Sequence, residues 1–211
     1  MTRVDPNTFF ESNFWDSGLC HVAGLDEAGR GALAGPVAVG AVILPNHPAL
    51  LSRTLAGVRD SKQMTPLERE SLAPRLQEVA LTWSVAFASA EEIDSLGIVH
   101  ATRLAALRAL NELSPVPQYL LTDFRLELPE LDISQTALVK GDTLCLSIAA
   151  ASVLAKTVRD QLMRELDQHY QGYGLGKHKG YGTQAHRSAM ERLGVSPVHR
   201  KTFQIKEIRI P

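Results

Sequence analysis

Two apolar segments joined by a glycine-rich turn constrain the fold of this chain more than any other feature of its sequence. Residues 20–27 read CHVAGLDE, residues 36–44 read PVAVGAVIL, and AGRGALAG lies between them. Apolar runs of this length separated by glycines predict a β-hairpin. The first strand ends in the adjacent carboxylates Asp26 and Glu27. The hairpin therefore brings two negative charges to the edge of an apolar core.

Capping signals and apolar patterns predict the remaining elements. Further strands are expected at 81–88, 118–123 and 136–140. Helices are expected from Thr65-Pro66 to about Val79, from Ser89 to the SPVP loop at 114–117, from Asp142 to about Tyr170, and from Thr183 to near Gly194. The sequence thus predicts an α/β fold, with a mixed five-stranded sheet flanked by helices and a helical C-terminal extension.

Length and composition favour one main domain. The 211 residues suffice for a well-buried core. Residues 1–19 are predicted to be a leader that can be disordered, 20–170 the principal domain, and 171–211 a C-terminal helical part packed on the same domain. The two cysteines form no disulfide framework, and no apolar run is long enough to span a membrane, so we expect a cytoplasmic protein.

Positive charge is concentrated near the C-terminus. The formal net charge is only -1, but residues 176–206 hold seven basic side chains and the single acid Glu191. These basic residues are Lys177, Lys179, Arg187, Arg192, Arg200, Lys201 and Lys206. This stretch is typical either of a solvated surface or of a face that binds nucleic acid.

Four acids lie at or just after predicted strand ends. Asp26 and Glu27 end the first strand, Asp123 follows QYLLT, and Asp142 follows TALVKG. Buried carboxylates are costly unless they are paired, and oxygen ligands suit Mg²⁺ or Mn²⁺, so together they indicate a metal site. Singly, Asp26 can begin a turn, Asp123 can cap a loop, and Asp142 can be a helix N-cap.

Several ordered motifs resemble those of the ribonuclease HII family. They are DEAGRGALAGPV at 26–37, DSK at 60–62 with RE at 69–70, KGD at 140–142, AAASVLAKTVRD at 149–160, HKGYGTQAH at 178–186 and HRKTF at 199–203. The related ribonuclease HIII group lacks the Gly-Arg-Gly of the first motif. One departure is Phe124, where many members of the family have glycine after the third acid.

The resemblance implies a ribonuclease H-like fold and a metal-dependent endoribonuclease. Asp26, Glu27, Asp123 and Asp142 would be both the catalytic and the metal-binding residues, with Mg²⁺ or Mn²⁺ as cofactor. The substrates implied are RNA/DNA hybrids and duplex DNA containing single ribonucleotides, cut on the 5' side to give 5'-phosphate and 3'-hydroxyl ends. A monomer is expected.

Substrate-binding roles also follow from the resemblance and from residue chemistry. Gly29, Arg30 and Gly31 would present backbone amides to a ribose 2'-hydroxyl, the group that distinguishes RNA from DNA. Tyr181 would stack on the neighbouring deoxyribose. Contacts to phosphates are expected from Lys62, Lys156, Arg159, Lys177, Lys179 and Arg200, and His178 is expected near the site.

Three other functions fit some of these features. A ribonuclease H-like nuclease acting on DNA junctions would have the acids but would not need Gly29-Arg30-Gly31. A catalytically silent nucleic-acid-binding relative would keep the basic tail but would not need all four carboxylates. A phosphatase acting on small molecules would not need the basic tail.

Overall fold

A computed structural model describes residues 5–123 and 126–203. Within these ranges the chain forms a five-stranded sheet in the order β3-β2-β1-β4-β5. The strands are β1 Val22–Ala28, β2 Val37–Ile43, β3 Thr82–Ala88, β4 Tyr119–Asp123 and β5 Gln135–Leu138. The helices are α1 Phe9–Asp16, α2 Pro48–Thr54, α3 Pro66–Val79, α4 Ala90–Asn111, α5 Gly141–Leu144, α6 Leu146–His169, α7 Leu175–His178 and α8 Gln184–Leu193, with a 3-10 turn at Ser61–Gln63.

The sheet is mixed, as the sequence predicted. Strands β1, β2 and β3 are antiparallel neighbours, whereas β4 pairs with β1, and β5 with β4, in parallel. The parallel register sets Leu25 opposite Thr122. As a result, the carboxyl ends of β1 and β4 lie side by side, with Asp26 and Glu27 near the end of β1 and Asp123 at the end of β4.

Helix α6 packs on one face of the sheet at very short range. A Cβ atom at Gly24 of β1 would lie 2.2 Å from the carbonyl carbon of Ser147, and one at Gly40 of β2 would lie 2.4 Å from the carbonyl oxygen of Ala151. Glycine at both positions lets strand and helix backbones touch. The acids at the end of β1 are therefore held close to the first turns of α6. Helix α4 covers the opposite face, where alanines such as Ala101 and Ala105 are fully buried.

The helix predicted from Asp142 to about Tyr170 is broken near its start. Cys145 is extended, with φ -111° and ψ 126°, and separates α5 from α6. Lys140 precedes α5 in the left-handed conformation. Asp142 consequently lies within the first turn of α5 and is not an N-cap.

The described part of the expected leader, residues 5–19, contains helix α1. Helix α1 packs on the molecule through Trp15 and the fully buried carboxylate of Glu11. Glu11 Oε1 accepts hydrogen bonds from the Ser147 amide at 2.7 Å and from the Cys145 thiol at 3.1 Å. The first of these contacts satisfies a backbone donor at the start of α6, and the local sequence gave no sign of either contact.

The C-terminal part is helical, as predicted, and packs on α6. Met163, Leu175 and Met190 are buried in a cluster shared by α6, α7 and α8. Thr183 caps α8 and Gly194 ends it, as the sequence indicated. Helix α2 and the short helix α7 were not predicted. None of the helices in the described part of the chain is both long and apolar enough to cross a membrane.

Candidate active site

The predicted acids meet at the carboxyl ends of β1 and β4. Glu27, Asp123 and Asp142 line a cavity of about 660 Å³, and Asp26 lies behind it, only 1% exposed. Asp123 Oδ1 accepts a hydrogen bond of 2.7 Å from the Gly141 amide. This bond joins the end of β4 to the start of α5, which carries Asp142. The fold thus brings residues 26, 27, 123 and 142 to one site.

Two carboxylate oxygens at this site are buried and have no hydrogen-bond partner among the described residues. They are Asp26 Oδ2 and Glu27 Oε2. Burial, and then the charge of Glu27, raise the pKa of Asp26 well above its usual range. Burial also raises the pKa of Glu27, despite the opposing effect of Arg30. Buried oxygens without partners are costly, so this arrangement favours a bound cation.

Lys62 and Arg30 are basic side chains that face these acids. Lys62 Nζ lies 3.6 Å from Asp142 Oδ2, and Arg30 Nη1 lies 3.6 Å from Glu27 Oε1. Burial alone would lower the pKa of Lys62, but the nearby carboxylates, Asp26 foremost, outweigh it and raise the pKa. Lys62 is largely exposed, so it can also meet a phosphate.

The chemistry of these side chains suits a hard divalent cation, but their present positions do not form a complete coordination site. Within 5–123 and 126–203, no three Asp, Glu, His or Cys side chains converge closely enough to hold one ion as they stand. All four acids nevertheless supply oxygen, the donor that Mg²⁺ and Mn²⁺ prefer, and two of the oxygens are buried and unpaired. The donor set fits such an ion once the side chains adjust.

Replacing Asp142 should stabilise the metal-free protein at neutral pH. Burial, and then the charges of Asp60 and Asp123, raise the pKa of Asp142 from 3.8 to about 6. The folded state therefore keeps its proton longer than the unfolded chain, so stability falls as pH rises from about 4 to about 6. In chelator at pH 8, we expect Asp142→Asn to raise the free energy of unfolding by about 1–2 kcal/mol, allowing for partial solvent screening.

Urea unfolding at pH 4 and pH 8 would measure this difference. The variant and the wild type should converge near pH 4, where the carboxyl is protonated. Asp132→Asn removes the same charge at an exposed position and should change little at either pH. Equal stability of Asp142→Asn and the wild type at pH 8 would show that the carboxylate is not disfavoured by its neighbours.

The Gly29-Arg30-Gly31 turn begins two residues after Glu27. Gly29 has φ +86°, and a Cβ there would lie 1.8 Å from Arg159 Nε, so the fold itself requires glycine. Gly31 is different, because a Cβ there would meet nothing within 4 Å and its φ is not left-handed. Across the described ranges, no group accepts a hydrogen bond from the amides of Arg30 and Gly31. These amides are free to bind a ligand.

Tyr181 lies on the surface above two cations. Its side chain is 37% exposed, with Lys156 Nζ 5.3 Å and Arg159 Cζ 5.7 Å from the ring centroid. His186 Nδ1 lies 3.1 Å from the Tyr181 carbonyl oxygen and holds the backbone at this point. The ring is therefore fixed at its base and open on its outer face.

Two predicted phosphate contacts are wrong. Arg159 is fully buried and donates to the carbonyls of Pro36, Lys179 and Ala34. Arg200 is 3% exposed, and its guanidinium likewise donates to backbone carbonyls. Residue type alone gave no means of distinguishing these internal arginines from arginines on the surface.

Other predicted contacts have mixed surroundings. Lys156 pairs with Asp160 at 2.7 Å, and Lys179 Nζ donates to the Gly176 carbonyl. His178 stacks on His186 with ring centroids 4.3 Å apart, and its Nε2 lies 2.9 Å from the Tyr173 carbonyl oxygen, so its partners are internal. Lys177 is exposed. Phe124 and Lys206 lie outside the described residues.

Sequence reasoning missed the groups that support the acids. Asp60 was noted only as part of DSK, but its carboxylate faces Asp142. Ser152 lies beside Asp26 and lowers its pKa, and Ser152 Oγ lies 2.9 Å from Ser61 Oγ, in the turn that carries Lys62. Small polar residues within AAASVLAK give no local sign that they face an acid.

Comparisons with known proteins agree with this arrangement. A family model described as ribonuclease HII matches residues 23–206. The ribonuclease HII of Synechococcus sp. (strain JA-3-3Ab) is 52% identical over 200 residues, which cover 95% of this chain and 89% of that protein. The crystal structure of ribonuclease H2 from Pyrococcus horikoshii OT3 superposes with a TM-score of 0.71 at 27% identity, covering 87% of this chain and 93% of that one.

A more distant solved structure is Bst-RNase HIII in complex with Mn²⁺. Its TM-score is 0.59 at 18% identity, covering 81% of this chain and 65% of that one, so this likeness concerns the fold alone. The mixed sheet with its flanking helices thus defines a ribonuclease H-type nuclease fold. Within that class, the chain belongs to the ribonuclease HII family, a family of hydrolytic nucleases.

Proposed function

We propose that this enzyme cuts the RNA strand of RNA/DNA hybrids and also cuts duplex DNA on the 5' side of single embedded ribonucleotides. The products would carry 5'-phosphate and 3'-hydroxyl ends. The observation that carries the proposal is the short distance along the chain between Glu27 and the open amides of Arg30 and Gly31. A nucleotide whose ribose meets the turn would have its phosphodiester bond at the acids.

Asp26, Glu27, Asp123 and Asp142 would hold one or two divalent ions, Mg²⁺ or Mn²⁺. When bound, such ions supply activation of the attacking water and stabilisation of the leaving 3'-oxygen. The chain itself orients the acids through the bond from Gly141 to Asp123 and through Ser152 beside Asp26. Lys62, exposed and close to Asp142, would position the phosphate.

The turn and Tyr181 would select the substrate. The free amides of Arg30 and Gly31 would donate to the ribose 2'-oxygen, which DNA lacks. The open face of Tyr181 would stack on the following deoxyribose with no preference for base. Exposed Lys177 and partly exposed Lys156 and Lys179 would contact phosphates along the duplex. An enzyme specific for DNA junctions would have no use for the turn.

The partner of this site is therefore a nucleic-acid duplex. We further propose a monomer, because one chain supplies all four acids, the turn and Tyr181. A reducing compartment such as the cytoplasm would suit the two free cysteines, one exposed at Cys20 and one buried at Cys145.

Cleavage of an end-labelled DNA duplex containing one ribonucleotide tests this function. The assay is run with Mg²⁺, with Mn²⁺ and with excess chelator. We expect a single cut on the 5' side of the ribonucleotide with either metal and none in chelator. Degradation of long hybrid without any cut at the single ribonucleotide would contradict the proposed specificity, and cutting in chelator would contradict the metal requirement.

A further inference from the structure

A single residue near the C-terminus binds the Gly29-Arg30-Gly31 turn at several points. Arg200 donates from Nη2 to the Gly29 carbonyl at 2.7 Å, from Nη1 to the Arg30 carbonyl at 2.8 Å and from Nε to the Gly35 carbonyl at 3.0 Å. Its own amide donates to the Leu33 carbonyl at 2.8 Å. The guanidinium thus binds three carbonyls of this loop on the side that faces the protein interior.

Peptide geometry connects these bonds to the free amides. In a planar trans peptide, the carbonyl of one residue and the amide of the next point in opposite directions. Because Arg200 draws the Gly29 carbonyl inward, the Arg30 amide points outward. The bond to the Arg30 carbonyl turns the Gly31 amide outward in the same way. These are the two amides that lack an acceptor in the described structure.

Arg200 is itself held in place. The backbones of His199 and Ala34 form a β-bridge, and His199 Nε2 lies 3.1 Å from His186 Nε2. The Phe203 ring lies 5.0 Å from the guanidinium carbon. Burial, and then the charge of Arg159, lower the pKa of Arg200 to about 9. This buried position disfavours a cation. We therefore attribute the role of Arg200 to the geometry of its five donors, which lysine cannot reproduce.

We propose that Arg200 is a positioning residue that sets the preference of this enzyme for ribose over deoxyribose. It acts from beneath the turn, aiming the amides of Arg30 and Gly31 at the 2'-hydroxyl, and does not touch the substrate. This inference rests on the proposed role of the turn. Arg200 lies 169 positions after Gly31 in the sequence, so the selection of ribose would depend on a residue far from the turn along the chain.

The test is the ratio of two dissociation constants, measured in chelator to prevent cutting. One probe is a DNA duplex with a single ribonucleotide, and the other is the same duplex of DNA alone. A ratio is unaffected by the fraction of protein that is folded, so simple destabilisation does not change it. We expect Arg200→Gln and Arg200→Lys to reduce the wild-type preference for the ribonucleotide-containing duplex by about tenfold, as expected for the loss of one well-aligned hydrogen bond. If the wild-type preference is less than tenfold, both variants should abolish it.

Leu110→Ala is the matched control, because it weakens a buried part of α4 away from the turn. It should lower stability and keep the wild-type ratio. Full preference in Arg200→Gln, or in Arg200→Lys if the first variant does not fold, would overturn the role of Arg200. Absence of any preference in the wild type would instead overturn the role proposed for the turn.

Discussion

Asp26→Asn is expected to abolish cutting while leaving binding to hybrid almost unchanged. The amide keeps the shape of the side chain but removes the charge on the most deeply buried of the four acids. Metal-assisted hydrolysis depends on that charge, so we expect a loss on the order of 10³-fold in kcat or more. Phosphate contacts supply most of the affinity for a duplex, so Kd should change little. Single-turnover cleavage and titration of labelled hybrid would measure the two quantities.

Misfolding would not explain such a loss. Burial disfavours the Asp26 carboxylate, so its neutral replacement should fold at least as well as the wild type. Asp16→Asn, at the exposed end of α1, controls for the change in net charge and should cut normally. Full activity in Asp26→Asn would exclude Asp26 from the metal-binding set.

Gly24→Ala should cause a large loss of stability. The new Cβ would lie 2.2 Å from the Ser147 carbonyl carbon and 2.5 Å from the Ile148 nitrogen. Both atoms belong to the α6 backbone, so β1 and α6 must separate for the methyl group to fit. We expect a decrease of about 3 kcal/mol in the free energy of unfolding, measured in urea.

Gly31→Ala is the matched control for Gly24→Ala. It adds the same methyl group where nothing lies within 4 Å. Its stability should equal that of the wild type, although the methyl group would stand where the substrate is proposed to approach. A Gly24→Ala variant as stable as the wild type would mean that strand and helix are not locked together as the contact indicates.

The sheet and most helices could be predicted because their signals are local. Apolar runs marked the strands, and the capping boxes at Thr65 and Ser89 are present in the structure. Helix α1 was missed because its aromatic residues alternate irregularly with polar ones, and because one of its anchors, Glu11, is a buried acid. The break at Cys145 was missed because an alanine-rich sequence favours a continuous helix, and tertiary contacts with Glu11 and Asn7 override that preference.

The candidate site was predictable to a similar degree. The four acids were identified by their positions after strands and by resemblance, and the structure brings them to one place. The inward-facing arginines were misread, because residue type does not reveal whether a guanidinium meets phosphate or carbonyl oxygen. Asp60 and Ser152 gained their roles only from chain segments that lie far apart in sequence.

The bonds from Arg200 to Gly29 and Arg30 span 171 and 170 residues. During synthesis on the ribosome, the hairpin and all four acids emerge well before the residue that orders the turn. A nascent or truncated chain ending before position 200 would hold the hydrolytic groups without the means of choosing among nucleic acids. Contacts of such long range form late in folding. Selectivity would therefore depend on a residue that is made after all four acids.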